Sequence, residues 1–228
     1  MDVRFFSLRK LVFQGLEMRL PNSLGSSVVL ALPFVLYITG FSAMAVEKSK
    51  YKILETNNGF EIREYPPQVV AETLVEGDFD DAGNQGFRRL FDYISGNNRS
   101  GPSIEMTAPV TQVGVSQKIA MTAPVGQMKT GNSWRITFVM PSKYALPDLP
   151  EPGDTRVILA QDPEMTVAAI KYSGTWSTDQ YLANKDLLEK YIAERGFDTV
   201  GEPVWARYDP PFMPWFLRRN EILIPISY

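Results

Sequence analysis

Acid and base chemistry in this chain would have to run on carboxylates, because its 228 residues include 26 Asp and Glu but no histidine and no cysteine. Two carboxyl groups brought together can divide the work of acid and base. Nothing in the spacing of these side chains, however, singles out two that must meet. Without imidazole or thiol there is no Ser-His-Asp or Cys-His nucleophile pair, no thiolate redox centre and no His- or Cys-ligated zinc site. The expectation is a protein that binds rather than one that catalyses. Its 23 basic against 26 acidic residues leave a net charge of -3. That balance gives no field to gather nucleic-acid phosphates, so nucleic acid is not expected as a partner.

Residues 1–45 read as an address rather than as fold. From Met18 the chain runs Met-Arg-Leu-Pro-Asn-Ser, then through an apolar stretch at 28–38, then to Ala43-Met44-Ala45. A basic start, a short hydrophobic run and a small-x-small site in that order make a secretory signal. The reading places the start at Met18 and cleavage after Ala45, with residues 1–17 an upstream extension. It predicts a periplasmic or secreted domain over 46–228. The apolar run is shorter than the roughly 18 residues of a membrane span, and Pro33 interrupts it; uncleaved, it would tether the domain to a membrane. An exported domain without cysteine is held by core burial rather than by disulfides.

Within 46–228, residues 51–55 and 60–64 alternate as strands around Asn57-Asn58-Gly59, a hairpin signal, and 69–75 is a further strand. Residues 80–94 put Phe87, Leu90, Phe91 and Ile94 at helical spacing, with Asp80 and Asp81 at the start and Gly96 as a stop. Gly83 and Gly86 inside this helix each cost up to about 1 kcal/mol relative to alanine, which implies that something approaches its backbone closely. A second helix is expected at 178–195, with Tyr181, Leu182, Lys185, Leu188 and Ile192 along one side and Gly196 as its stop. Strands at 134–140, 156–159, 165–172, 204–208 and 221–226 complete the set. Val70-Ala71 with Gly77-Asp78-Phe79 corresponds to Val167-Ala168 with Gly174-Thr175-Trp176 at a constant offset of 97. The expected fold is α+β: duplicated β-α-β halves related by a pseudo-two-fold, closing as a distorted antiparallel β-barrel with two main helices. A two-sheet sandwich without closure is the alternative.

Between the halves, residues 104–110 read Ile-Glu-Met-Thr-Ala-Pro-Val and residues 119–125 read Ile-Ala-Met-Thr-Ala-Pro-Val. Each proline removes a donor and holds the preceding alanine extended, so the block is expected at a strand edge or bend with its Met and Val packed inward. These paired blocks resemble the SOUL haem-binding family. The resemblance continues through Phe-Glu-Ile-Arg-Glu-Tyr at 60–65, Gly77 and Phe79, Tyr208-Asp209-Pro210-Pro211 and Arg218-Arg219-Asn220-Glu221, and covers nearly all of 46–228.

The resemblance implies non-catalytic binding of haem or another tetrapyrrole, for carriage, buffering or sensing, in an apolar cleft near the first helix and the loop before the last strand. On this sequence it implies Phe87, Arg88 and Phe91 from the helix, and Phe212, Met213, Trp215, Phe216 and Arg218 from the loop. Pro210, Pro211 and Pro214 stiffen that loop, while Phe212, Trp215 and Phe216 offer stacking faces to a planar ligand. Arg88, Arg89, Arg218 and Arg219 could pair with propionates. The alternatives are that the Phe87, Leu90 and Phe91 stripe faces the core, that the loop rings cover the barrel end, and that Arg218 pairs with Glu221. With no histidine, axial ligation falls to methionine, tyrosine or lysine, or is absent. Binding driven by apolar contact would accept metal-free porphyrins as well.

Two other functions fit the same pattern. The duplicated plan also resembles the effector-binding domains of bacterial drug-sensing regulators, where lipophilic cations bind and Glu105 or Glu164 would be the buried counter-charge. An interaction module would instead press the 212–216 loop against a protein or a membrane.

Overall fold

A computed structural model describes residues 46–99 and 116–228. The signal segment, the first Met-Thr-Ala-Pro-Val block and Glu105 lie outside the described residues. Nine strands of the described chain form the continuous path of one antiparallel sheet: β1 (Lys52–Asn57), β2 (Phe60–Tyr65), β3 (Gln68–Glu76), β4 (Val125–Thr130), β5 (Ser133–Val139), β6 (Ile158–Asp162), β7 (Met165–Tyr172), β8 (Val204–Arg207) and β9 (Asn220–Ser227), and a two-residue strand, Asp198–Thr199, pairs with β9 off that path. Helix α1 (Phe79–Ile94) follows β3, and α2 (Thr178–Arg195) follows β7. The β1–β2 hairpin turns on Asn58 and Gly59, both at positive φ (47° and 88°). That is the twist a two-residue hairpin loop needs, and it is why Asn-Gly signals one.

The strand order is β6-β3-β5-β4-β8-β9-β7-β2-β1, and chain connectivity forces this sheet to curl. In a flat sheet β2 and β3 would lie about 29 Å apart, six spacings of about 4.8 Å. They are joined by Pro66 and Pro67 alone, and two intervening residues span at most about 11 Å. The β6–β7 connection, Pro163 and Glu164, imposes the same constraint. The result is a half-barrel, which corrects the expected closure. β2 already pairs with β7 and β1, and β3 with β6 and β5, so neither has an edge left to zip to the other.

The α+β class and the two helices are as expected. Outward from the central β4–β8 pair, β5 and β9 come next, then β3 and β7, the two strands that lead into the helices. The helices themselves end differently. Ser177 caps α2 by accepting from Gln180 N, and Gly196 closes it at φ 71°, whereas Asp78 makes no side-chain cap for α1 and Ser95 ends it in right-handed geometry. An internal duplication is not established by this order of elements.

Each helix covers its own apolar cluster on one face of the sheet. Leu90 and Tyr93 of α1 pack with Ala71, Val75, Ile136 and Phe138 of the sheet; Leu188 and Ile192 of α2 pack with Ile62, Trp205, Ile222 and Ile224. Phe79 at the start of α1 joins the second cluster, stacked on Trp205 (centroids 4.5 Å apart) and on Tyr181 (5.1 Å). The two helix glycines answer to real neighbours. A Cβ on Gly86 would sit 2.3 Å from Cγ1 of Ile136, and one on Gly83 would sit 2.6 Å from Oε1 of Gln127. The second Met-Thr-Ala-Pro-Val block is architectural: Thr122–Ala123 pairs in parallel with Glu47–Lys48, Met121 and Val125 pack on the α1 cluster, and Val125 opens β4.

Candidate functional site

Two of the expected helix residues form one aromatic pair. Phe87 is half-buried, stacks on Phe91 (5.8 Å, 11° between planes) and meets Phe138 edge-on at 5.4 Å. One turn of helix separates the two rings, so the inner one is set by the core and the outer one, Phe91, stays 45% exposed. Arg88 is exposed and has no ion-pair partner among the described residues. Arg89 points the other way: its guanidinium donates to Thr73 Oγ1 (2.6 Å) and to the Leu74 carbonyl (3.2 Å), tying α1 to β3.

The loop between β8 and β9 is a built structure rather than a loose cover. At its neck Tyr208 N donates to the Arg219 carbonyl, and Arg219 N to the Asp209 carboxylate. Within it Met213 N donates to the Pro210 carbonyl and Leu217 N to the Pro214 carbonyl, the latter closing a short turn at Trp215–Leu217. Arg218 staples it, with Nε donating to the Met213 carbonyl (2.8 Å), Nη2 to the Pro211 carbonyl (2.6 Å), and the guanidinium lying 4.4 Å from the Trp176 ring. The alternative pairing of Arg218 with Glu221 does not form. On a strand, residues two apart share a face, so it is Arg219 that reaches Glu221 (Nη2 to Oε1, 2.7 Å). The rings do not cover the end of the sheet either: Phe212 is 86% exposed, and Trp215 and Phe216 are 58% exposed each and edge-to-face with one another. Met213 is half-buried.

The helix pair and the loop belong to separate contact groups, joined by two residues that the sequence reading did not select. Arg207 at the end of β8 lies 3.9 Å from the Trp205 ring and 5.2 Å from the Trp176 ring. Its Nη2 donates to Gln127 Oε1 (2.9 Å), directly against the Gly83 backbone of α1. Trp176 is therefore within reach of both Arg207, which touches α1, and Arg218, which staples the loop, and its Nε1 donates to Asn220 Oδ1 (3.0 Å). Burial pushes the Arg207 guanidinium down to about 10, with Asp80 pulling the other way, so it stays charged at neutral pH. The available signal was the alignment of Trp176 with Phe79 between the halves.

Beneath the loop neck sits a buried ionic node. Glu221 is fully buried and accepts from Arg63 (Nη1 2.7 Å, Nη2 3.2 Å), from Arg219 (Nε 2.9 Å, Nη2 2.7 Å) and from the Tyr208 hydroxyl (2.9 Å). Burial raises its pKa, but bonds and charges from Arg63 and Arg219 outweigh this and hold it below the ordinary carboxylate value. Burial also pushes the Tyr208 hydroxyl well up, so it remains a donor. A carboxylate already shared by two arginines is no counter-charge for a lipophilic cation. Glu164, expected to be buried in that role, is exposed.

Among the described residues no group of acidic side chains is arranged to hold a metal ion. A family model described as SOUL heme-binding protein matches residues 46–225. Heme-binding protein 2 of Homo sapiens is 30% identical over 194 residues, spanning 79% of this chain and 90% of that protein. Heme-binding protein 2 of Mus musculus is 30% identical over 177 residues, spanning 71% and 79%. The crystal structure of an uncharacterized conserved protein from Listeria innocua shares the fold at TM-score 0.51 and 12% identity, covering 80% of this chain and 94% of that one. The matched region takes in both helices and the nine strands up to the last two residues of β9, and on that basis the chain belongs to the SOUL heme-binding protein family.

Proposed function

We propose that this protein binds haem or another tetrapyrrole without catalysing a reaction, on the apolar surface offered by Phe87 and Phe91 of α1 and by Phe212, Met213, Trp215 and Phe216 of the β8–β9 loop. The observation that carries the reading is the loop itself: three outward aromatic rings held by a proline-stiffened backbone and an arginine staple. Exposed rings that lose no order on binding suit a flat ligand whose affinity comes from buried apolar area. The family's named relatives in human and mouse point to the same ligand.

The residues fit a porphyrin ring better than they fit its iron. The chain has no histidine or cysteine, and the one soft donor the loop provides is the Met213 thioether. Haem bound here would supply a redox-active iron, while the chain's own residues stack against the ring and exclude water. Arg88, exposed beside Phe87 and Phe91, is the propionate partner in this reading; Arg218 is committed to loop carbonyls and acts through the loop's shape. The signal-like order of residues 18–45 supports placing this activity in an exported domain.

Haemin titration of the protein, read by Soret absorbance and Trp quenching, tests the proposal. One-to-one saturable binding is expected, at least tenfold weaker in Phe91→Ala/Trp215→Ala, whose side chains are both exposed; circular dichroism of the variant checks that it folds. Protoporphyrin without iron is expected to bind with similar affinity. Unsaturable binding, or binding indifferent to the double substitution, would overturn the assignment of this surface.

A further inference from the structure

Helices cover one face of the curled sheet, and the other face encloses space of its own. Strand alternation turns Val70, Met128, Val139, Val204 and Leu223 toward that side, and the short Tyr65–Gln68 and Asp162–Met165 connections cross its end because they tie opposite edges of the sheet together. Under them lies a mostly apolar cavity of about 130 Å³. A second cavity of about 190 Å³ adjoins it, sharing Ser49, Pro66, Gln68 and Val139 as walls, and opens to the surface beside Lys48 and Lys50.

Two details say what such a slot would hold. The Ser49 hydroxyl, at the joint between the cavities, is buried without a hydrogen-bond partner among the described residues, a state native structures rarely leave unexplained. The charge at the mouth is positive: Lys48, Lys50 and the adjacent Lys143 stand against Glu47, which is itself occupied by the Ser142 backbone N–H (3.1 Å). At the inner end the Arg135 guanidinium is already shared between Glu72 (2.6 Å) and Asp162 (2.7 Å), which leaves apolar contact as what the trough offers a ligand. Neither cavity borders Phe87, Phe91 or the β8–β9 loop, and neither has room for a rigid disc.

We propose that this slot is a second ligand site, for a single-chain amphipath with an anionic head, such as a long-chain fatty acid. The tail lies in the trough between Met128, Met165 and Leu223, and the carboxylate sits at Lys48 and Lys50, with the head's inner atoms satisfying Ser49. A fluorescent probe, 11-(dansylamino)undecanoic acid, titrated into the full chain tests this. Saturable one-to-one binding with a blue shift is expected, with displacement by palmitate. Lys48→Glu/Lys50→Glu should weaken palmitate at least tenfold while leaving the equivalent fatty alcohol unchanged. Met165→Trp fills the trough and should abolish both; Ser49→Leu plugs the joint and is the second blocking variant should the first fail to fold by circular dichroism. Haemin titration of the same variants should be unaltered, which separates this site from the proposed tetrapyrrole surface. The proposal is overturned by absence of saturable probe binding, by binding that survives both blocking variants, or by stoichiometric displacement of the probe by haemin.

Discussion

Glu221→Gln should be among the most destabilising conservative substitutions in this protein, and the structure sets the size of the effect. The carboxylate is fully buried, accepts five hydrogen bonds, four of them from two guanidinium groups, and faces Arg63, whose side chain is 2% exposed. An amide in its place retains one acceptor oxygen and turns an N–H₂ toward donors. Among the described residues Arg63 then keeps Glu61 alone as a charged partner (2.7 Å). Removing one member of a buried ion pair costs about 3–5 kcal/mol, since the charge left behind cannot return to water. For a domain of this size that corresponds to a fall in Tm of about 10 °C. Urea unfolding followed by Trp fluorescence measures it, with Trp205 fully buried as reporter. The joint replacement Arg63→Met/Glu221→Leu should recover part of the loss, because it removes the stranded Arg63 charge, while Arg219, 22% exposed, can reach water. A loss below about 1 kcal/mol in the single variant, or no recovery in the pair, would refute the reasoning that desolvation of Arg63 dominates. Because Arg219 and Tyr208 also form the neck of the aromatic loop, the same variant should weaken haemin binding.

Other outcomes follow from the same geometry. Since Glu221 is held below its ordinary value of 4.5 in the fold, its contribution to stability is present above pH 4.5 and is lost as pH falls from there through the folded-state value; acid unfolding of Glu221→Gln should be correspondingly shallower. Gly86→Ala should destabilise by about 1–3 kcal/mol, despite the better helix propensity of alanine, because the new methyl meets Ile136 and α1 must lift from the sheet; a gain in urea midpoint would show that Ile136 yields instead. Arg218→Ala should change global stability by no more than about 1 kcal/mol, given a partly exposed staple, yet make the 209–218 loop cleavable by protease and lower haemin affinity several-fold. Intact loop resistance in that variant would mean that the prolines alone hold it.

The sequence by itself determined the elements whose reasons are local. Asn58-Gly59 is a hairpin turn because those residues tolerate positive φ, α1 and α2 follow from their 3.6-residue spacing, and the glycines of α1 announced close neighbours. Absence of histidine and cysteine settled, before any fold, which active sites cannot exist here. The strand at Val125–Thr130 carries no clear signal in the sequence because Gly126, Gln127 and Lys129 break its alternation; it is held by β5 and β8 on either side rather than by its own pattern. Tertiary structure alone decided the strand order, and with it the curl, since two-residue links between opposite edges are short only when the sheet bends. It also decided the polar partners. Arg63 and Glu221 are 158 residues apart, and nothing in either strand distinguishes a buried arginine from a solvated one. Trp176 likewise becomes part of the site because Arg207 from β8 and Arg218 from the loop both arrive at its ring. Pairings of this kind depend on where the chain returns, a property of the whole fold that local spacing does not encode.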